Sequence, residues 1–217
     1  MFFSWIPQAI HSYNKDSKII FILRNPVERA YSHWWMWYSR SIIKKKFYDC
    51  IQSEINRISK EGLQMDFTPQ EYANHIKNVA PMGRSAYADA TTIVESGYYY
   101  TQIDRFKAFF DANQLLIIDY KEIANPDTLS KKLEFFLGID FKPNKLNTEV
   151  NKAPEFAKVK LSLGKYFPKK IKKLIKNNFF KKRKIEERAI VLLKEHYNKE
   201  NKKLYKELGV DFAKNWI

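Results

Sequence analysis

The chain has 217 residues, 45% hydrophobic and 16% aromatic, which predicts one well-buried domain and excludes a disordered chain. Its net charge of +15 indicates an anionic partner. No apolar run is long enough to cross a bilayer, and no Cys/His cluster offers a metal site. The single cysteine, Cys50, excludes an internal disulfide, and together these features predict a soluble cytoplasmic protein.

The first predicted element is a strand that runs directly into a helix. Ile19–Leu23 form a short continuous apolar run, typical of a parallel strand covered on both faces. Asn25 can cap a helix over residues 26–39, and Glu28 can complete the cap by reaching back. Arg24 then lies at the carboxyl end of the strand, where open α/β sheets bind anionic ligands. The alternative is an ordinary crossover in which Arg24 pairs with a carboxylate.

Strands and helices alternate along the rest of the chain. A mostly helical region leads to Gly97, which opens a helix, and residues 114–119 form a second buried strand. Asn125 starts a further helix that Gly138 ends, and residues 185–208 form a final amphipathic helix. The alternation predicts an α/β protein with parallel strands, in a single domain over residues 1–217.

Positive charge is concentrated in residues 142–184, where fifteen Lys/Arg stand against two acids and supply +13 of the net +15. This segment suits a nucleotide, an acidic glycan, nucleic acid or a membrane surface, although a solvated lysine-rich face without a partner has the same pattern. Residues 168–181 have the pattern of an interfacial helix. The alternative function is therefore a non-catalytic basic module that binds polyanions or an anionic membrane. Nucleic acid is disfavoured because no reader motif is present.

The string L-R-N-P-V-E-R-A-Y-S-H over residues 23–33 resembles the 3′-phosphate-binding motif of sulfotransferases that use 3′-phosphoadenosine 5′-phosphosulfate (PAPS). In that family the arginine and the serine eight positions later hold the 3′-phosphate, and here these are Arg24 and Ser32. The resemblance is closest to glycan-modifying and bacterial members. It implies PAPS as donor and a hydroxyl or amine of a saccharide or small molecule as acceptor.

Four later segments also resemble parts of this family. Residues 97–106 resemble its central helix, and residues 114–138 resemble its next strand and helix. Residues 151–152 resemble the start of its cofactor-covering loop, and residues 197–216 its closing helix. The resemblance implies that Asn151 and Lys152 contact the cofactor, and that the fold is a P-loop-like parallel sheet flanked by helices.

The resemblance leaves the catalytic base unassigned. His33 adjoins Ser32, but its aromatic neighbours favour a packed, hydrogen-bonded histidine. His11 precedes the first strand in a context that does not match the family, and Glu95 is a further candidate. Tyr99 either packs near the site or is a core residue.

Family members hold the 5′-phosphosulfate with a glycine-rich loop that carries a lysine and follows their first strand. The seventeen residues before Lys18 contain no glycine. We therefore expect an N-terminally truncated domain that lacks this strand and loop, either as a truncated gene product or with the strand supplied by a partner or a second copy.

This expectation predicts little or no turnover in a PAPS-dependent assay on residues 1–217 alone, because no group in the sequence is assigned to hold the reactive end of the donor. Robust turnover by this chain would contradict the prediction.

Overall fold

In the part of the chain that the structure describes, two parallel strands form the sheet, β1 at Ile19–Leu23 and β2 at Leu115–Asp119. Ile19 lies beside Leu115 and Leu23 beside Asp119, so the carboxyl ends of both strands meet at one edge. The predicted α/β class with parallel strands is confirmed. The structure is a computed structural model that describes residues 3–79, 92–140, 168 and 184–217.

Helices make up most of the described chain. They are α1 at Ile6–Tyr13, α2 at Pro26–Tyr38, α3 at Phe47–Glu61, α4 at Pro69–Val79, α5 at Tyr99–Lys107, α6 at Pro126–Leu137 and α7 at Glu187–Leu208. The helices predicted over residues 26–39, after Gly97, after Asn125 and over 185–208 are confirmed to within two residues. Among the described residues, no helix has the length and apolarity needed to span a membrane.

The junction between β1 and α2 is fixed by Asn25. Its side-chain oxygen accepts hydrogen bonds from the backbone N–H of Val27 at 3.0 Å and of Glu28 at 3.4 Å, which satisfies two donors of the first turn. Pro26 occupies the first turn, where its missing N–H costs nothing. The predicted cap is confirmed, except that the Glu28 carboxylate bonds to Arg24 and does not close a capping box.

The prediction that β1 is covered on both faces is wrong for the described residues. Phe21 and Leu23 are buried, with 2% and 4% of their surface exposed, whereas Ile20 and Ile22 are 37% and 52% exposed. Successive side chains of a strand point to opposite faces, so only one face of β1 meets the core. That core includes Ile103, Phe106, Leu204 and Trp216.

Helix α7 joins the two hydrophobic clusters of the described chain. Leu193 and Tyr197 pack with α2 and α3, and Leu204 packs with β1 and α5. The Tyr197 hydroxyl also donates to the carbonyl of Val94 at 2.6 Å. The Tyr197 ring lies so close to Gly97 that a Cβ atom there would come within 2.7 Å of it.

Gly97→Ala is therefore expected to lower the free energy of unfolding by about 1–3 kcal/mol, because the buried ring has no room to move aside. Urea denaturation measures this loss. In a Tyr197→Leu background the same change should cost much less, since the two ring carbons and the hydroxyl oxygen that the Cβ would meet are gone. Equal losses in both backgrounds would contradict the steric account.

Candidate functional site

Arg24 lies directly after β1, at the carboxyl edge of the sheet, with 35% of its side chain exposed. Its Nε and one terminal nitrogen each lie 3.1 Å from Oε2 of Glu28. Its guanidinium carbon lies 5.1 Å from the ring centre of Tyr120, which follows β2. The Tyr99 hydroxyl donates to the Arg24 carbonyl at 2.9 Å. The Arg24 backbone is thus tied to α5, and its guanidinium lies between a carboxylate and an aromatic ring.

Ser32 lies on the same face of α2 as Glu28. Glu28 and Ser32 are four residues apart on α2, the spacing at which helical side chains are neighbours, and Arg24 lies four residues before Glu28, outside the helix. Glu28 is exposed and Ser32 is half-buried. Ser32 lies in the second turn of α2, and Arg24 immediately precedes the cap at its start, where the helix dipole is positive. Such a place favours an anion.

Arg29 and His33 lie four residues apart on α2 and form a second pair, which faces the interior of the protein. Arg29 donates to the carbonyl of Ile93 through one terminal nitrogen, and the other lies 3.4 Å from Nδ1 of His33. Burial, and then the charge of Arg29, lower the pKa of His33 to about 3. The imidazole is neutral at pH 7, and it is the packed, hydrogen-bonded histidine that its neighbours predicted.

Glu95 does not have the position of a catalytic base. Its carboxylate is fully buried, accepts the backbone N–H of Met65, and pairs with Arg57 at 3.0 Å. A base must come within hydrogen-bond reach of the acceptor, and this carboxylate is enclosed by protein. The structure gives Glu95 a structural role, which disfavours this candidate as the base.

The two other residues that the sequence suggested for the site, His11 and Tyr99, lie in different parts of the fold. His11 packs against the rings of Phe109 and Phe110, with ring centres 5.9 and 5.6 Å apart. These phenylalanines precede the amino end of β2, so His11 is at the edge of the sheet opposite Arg24. Tyr99 is both core residue and site neighbour, since it is buried and also bonds to the Arg24 carbonyl.

Three features predicted from the sequence lie outside the described residues: Asn151, Lys152 and the interior of the basic segment 142–184. In the described part of the chain, no group of three or more His, Cys, Asp or Glu side chains could hold a metal ion.

The sequence left open that Arg24 pairs with a carboxylate, as it does with Glu28, but it did not identify Glu28 or Tyr120 as the side chains that contact the guanidinium. Glu28 was assigned to the helix cap, although its four-residue spacing from Arg24 also allows an ion pair. Tyr120 follows the second strand, and its place at the carboxyl end of a parallel strand is the signal that could have found it.

Comparison with known proteins decides the family. A family model described as a sulfotransferase domain matches residues 2–213, nearly the whole chain. This protein belongs to the sulfotransferase domain family. Its helix-rich α/β fold with a small parallel sheet agrees with the assignment.

This sulfotransferase-family chain is similar to the bifunctional heparan sulfate N-deacetylase/N-sulfotransferase 1 of Xenopus tropicalis and of Xenopus laevis. Each is 28% identical over 134 residues, which is 61% of this chain and 13% of the relative. The crystal structure of a sulfotransferase from Alicyclobacillus acidocaldarius aligns with a TM-score of 0.56 and 16% identity, over 94% of this chain and 59% of that one. At this identity the structural likeness shows the fold alone.

The buried carboxyl group of Glu54 makes stability depend on pH. Burial raises the pKa of Glu54 to about 7, against the opposing effects of the backbone N–H groups of Glu95 and Val94 and of Arg57. From its ordinary value of 4.5 up to about 7, the folded chain retains a proton that the unfolded chain loses. The stability contributed by Glu54 is thus fully present below pH 4.5 and is lost as pH rises through 7.

Glu54→Gln is expected to remove this decline, because the amide oxygen still accepts the hydrogen bond from Glu95 without becoming charged. Urea denaturation at pH 5 and pH 8 should show a smaller difference in the free energy of unfolding than in the wild type. The control is Glu61→Gln, which changes an exposed glutamate of the same helix. An unchanged pH dependence in Glu54→Gln would show that another group causes it.

Proposed function

We propose that this chain binds the 3′-phosphate of PAPS through Arg24 and Ser32 and serves a sulfotransferase reaction. The observation that carries the proposal is the position of Arg24 directly after the carboxyl end of β1, with the motif's serine, Ser32, on the helix that follows, within a chain of the sulfotransferase family. The resemblance assigns these two residues to the 3′-phosphate, and the physical character of the junction supports that assignment.

The groups at the junction fit a phosphate monoester. The Arg24 guanidinium is a planar fork of donors that matches phosphate oxygens, and one third of its side chain is open to solvent. The Ser32 hydroxyl can donate from the next turn, and the α2 dipole adds a favourable field. The Tyr99–Arg24 hydrogen bond fixes the backbone from which the guanidinium projects.

When bound, PAPS supplies an activated sulfuryl group, which an acceptor hydroxyl or amine takes up as 3′-phosphoadenosine 5′-phosphate (PAP) is released. Arg24 and Ser32 hold the end of the nucleotide remote from that chemistry. Their contribution is to position the donor, since a fixed 3′-phosphate limits where the reactive group can lie.

We further propose a saccharide acceptor, with an anionic glycan attracted by the basic segment 142–184. Two similar proteins are named as heparan sulfate N-sulfotransferases, which supports a glycan hydroxyl or amine as the class of acceptor. The charge of +13 in that segment complements a sulfated or acidic chain.

Titrating PAP into Arg24→Ala tests the cofactor site. Losing charge-assisted hydrogen bonds to the phosphate is expected to weaken PAP binding about ten- to hundredfold, as measured by calorimetry. The matched control is Arg40→Ala, which removes an exposed arginine just beyond α2 at the end remote from Arg24.

The control variant should bind PAP as the wild type does. Equal and strongly salt-dependent binding by wild type, Arg24→Ala and Arg40→Ala would instead indicate general attraction of polyanions, and would contradict the proposed site.

A further inference from the structure

The ion pair between Arg24 and Glu28 has a one-sided geometry. Nε and one terminal nitrogen of Arg24 both approach the same carboxylate oxygen, Oε2, at 3.1 Å. The strongest arginine–carboxylate pairs use two parallel hydrogen bonds to two oxygens. The side chains are also 35% and 53% exposed, so water competes with the pair and salt screens it. Glu28 is thus held weakly enough to be displaced.

The other contacts of Arg24 are suited to persist when a ligand arrives. The Tyr99 hydroxyl holds the Arg24 carbonyl at 2.9 Å, and Tyr99 is itself buried. The Tyr120 ring, 5.1 Å from the guanidinium carbon, offers a cation–π contact that uses no hydrogen-bond donor. Glu28, in contrast, approaches two of the three guanidinium nitrogens, Nε and one terminal nitrogen, whose N–H groups form one of the edges that an anionic ligand can use. Arg24 is thus fixed in place while a neighbouring carboxylate competes for that edge of its guanidinium.

We propose that Glu28 is an internal counter-ion that competes with the 3′-phosphate for Arg24. The inference rests on the proposed function, because it takes the phosphate of PAPS or PAP as the competing ligand. A phosphate on Arg24 places its negative charge beside the Glu28 carboxylate, which then loses its partner and faces a like charge. Glu28 acts through Arg24, so it is a positioning residue.

The competition lowers the affinity for donor and product alike, since PAPS and PAP carry the same 3′-phosphate. An effect equal in the ground state and the transition state changes KM and leaves the chemical step unchanged. The carboxylate therefore eases the release of PAP at the cost of weaker donor binding. It also gives Arg24 a partner in the free protein.

The test is calorimetric titration of PAP into the wild type, Glu28→Gln and Glu28→Asp. Glu28→Gln removes the competing charge and is expected to tighten PAP binding about five- to twentyfold, given the strength of exposed charge pairs and of like-charge repulsion near a surface. Glu28→Asp keeps the charge but shortens the reach, so its affinity for PAP should lie between the other two.

Two controls separate this effect from a general change in charge or structure. Adenosine 5′-monophosphate lacks the 3′-phosphate, so its affinity should be the same in the wild type and Glu28→Gln. Glu187→Gln neutralises an exposed first-turn glutamate of another helix, α7, and should leave PAP binding unchanged.

Weaker PAP binding by Glu28→Gln would overturn the inference, because it would mean that Glu28 orients Arg24 for the ligand. Equal tightening of PAP and adenosine 5′-monophosphate would also overturn it, since the effect would not pass through the 3′-phosphate. Failure of the proposed function gives a different result. If Arg24→Ala binds PAP as the wild type does, Arg24 is not a phosphate ligand, and both the proposed site and this inference are contradicted.

Discussion

The candidate site depends on how the β1–α2 junction is held against the rest of the protein. The hydroxyl of buried Tyr99 donates to the Arg24 carbonyl, which fixes the first residue after β1 to helix α5. One turn into α2, Arg29 bonds to the carbonyl of Ile93. These bonds tie the strand end to α5 and the start of α2 to the segment before α5. They add to the hydrophobic packing of α2 in fixing the junction relative to the sheet.

The same segment also connects the site to the closing helix. The Tyr197 hydroxyl bonds to the carbonyl of Val94, and Gly97 leaves the room that the Tyr197 ring occupies. Behind it, Glu54 accepts the backbone N–H of Glu95, whose carboxylate pairs with Arg57. Residues from three helices, α2, α3 and α7, therefore meet at a short stretch that carries no proposed ligand contact of its own. Its role is to support the site.

The elements of the fold could be predicted where the signal is local. Asn25 and Pro26 mark the start of α2, and Gly138, in the left-handed conformation, marks the end of α6. The apolar runs at β1 and β2 predicted both strands, and the alternation of strands and helices predicted that they are parallel. The exposure of Ile20 and Ile22 could not be predicted, because it depends on which elements lie over each face of the sheet.

Only part of the site could be read from the sequence. The family motif directs attention to Arg24 and Ser32, whereas the burial of Glu95 depends on Arg57 and Met65, which lie far from it in sequence. Glu28 had two local partners within reach, the helix cap and Arg24, and spacing alone does not choose between them. The exposure of the two glutamates also separates their roles. Glu28 is exposed and can give up its partner Arg24, whereas Glu95 is buried and enclosed by its partners.

The central claim is that Arg24 and Ser32 together hold the 3′-phosphate of the sulfuryl donor. The most direct measurement is a crystal structure of this chain with PAP bound. The account predicts 3′-phosphate oxygens within about 3 Å of the Arg24 guanidinium and of the Ser32 hydroxyl, the range of charge-assisted hydrogen bonds. It also predicts that Glu28 has moved away from Arg24. A PAP molecule seated elsewhere, with the Arg24–Glu28 pair intact, would contradict the account.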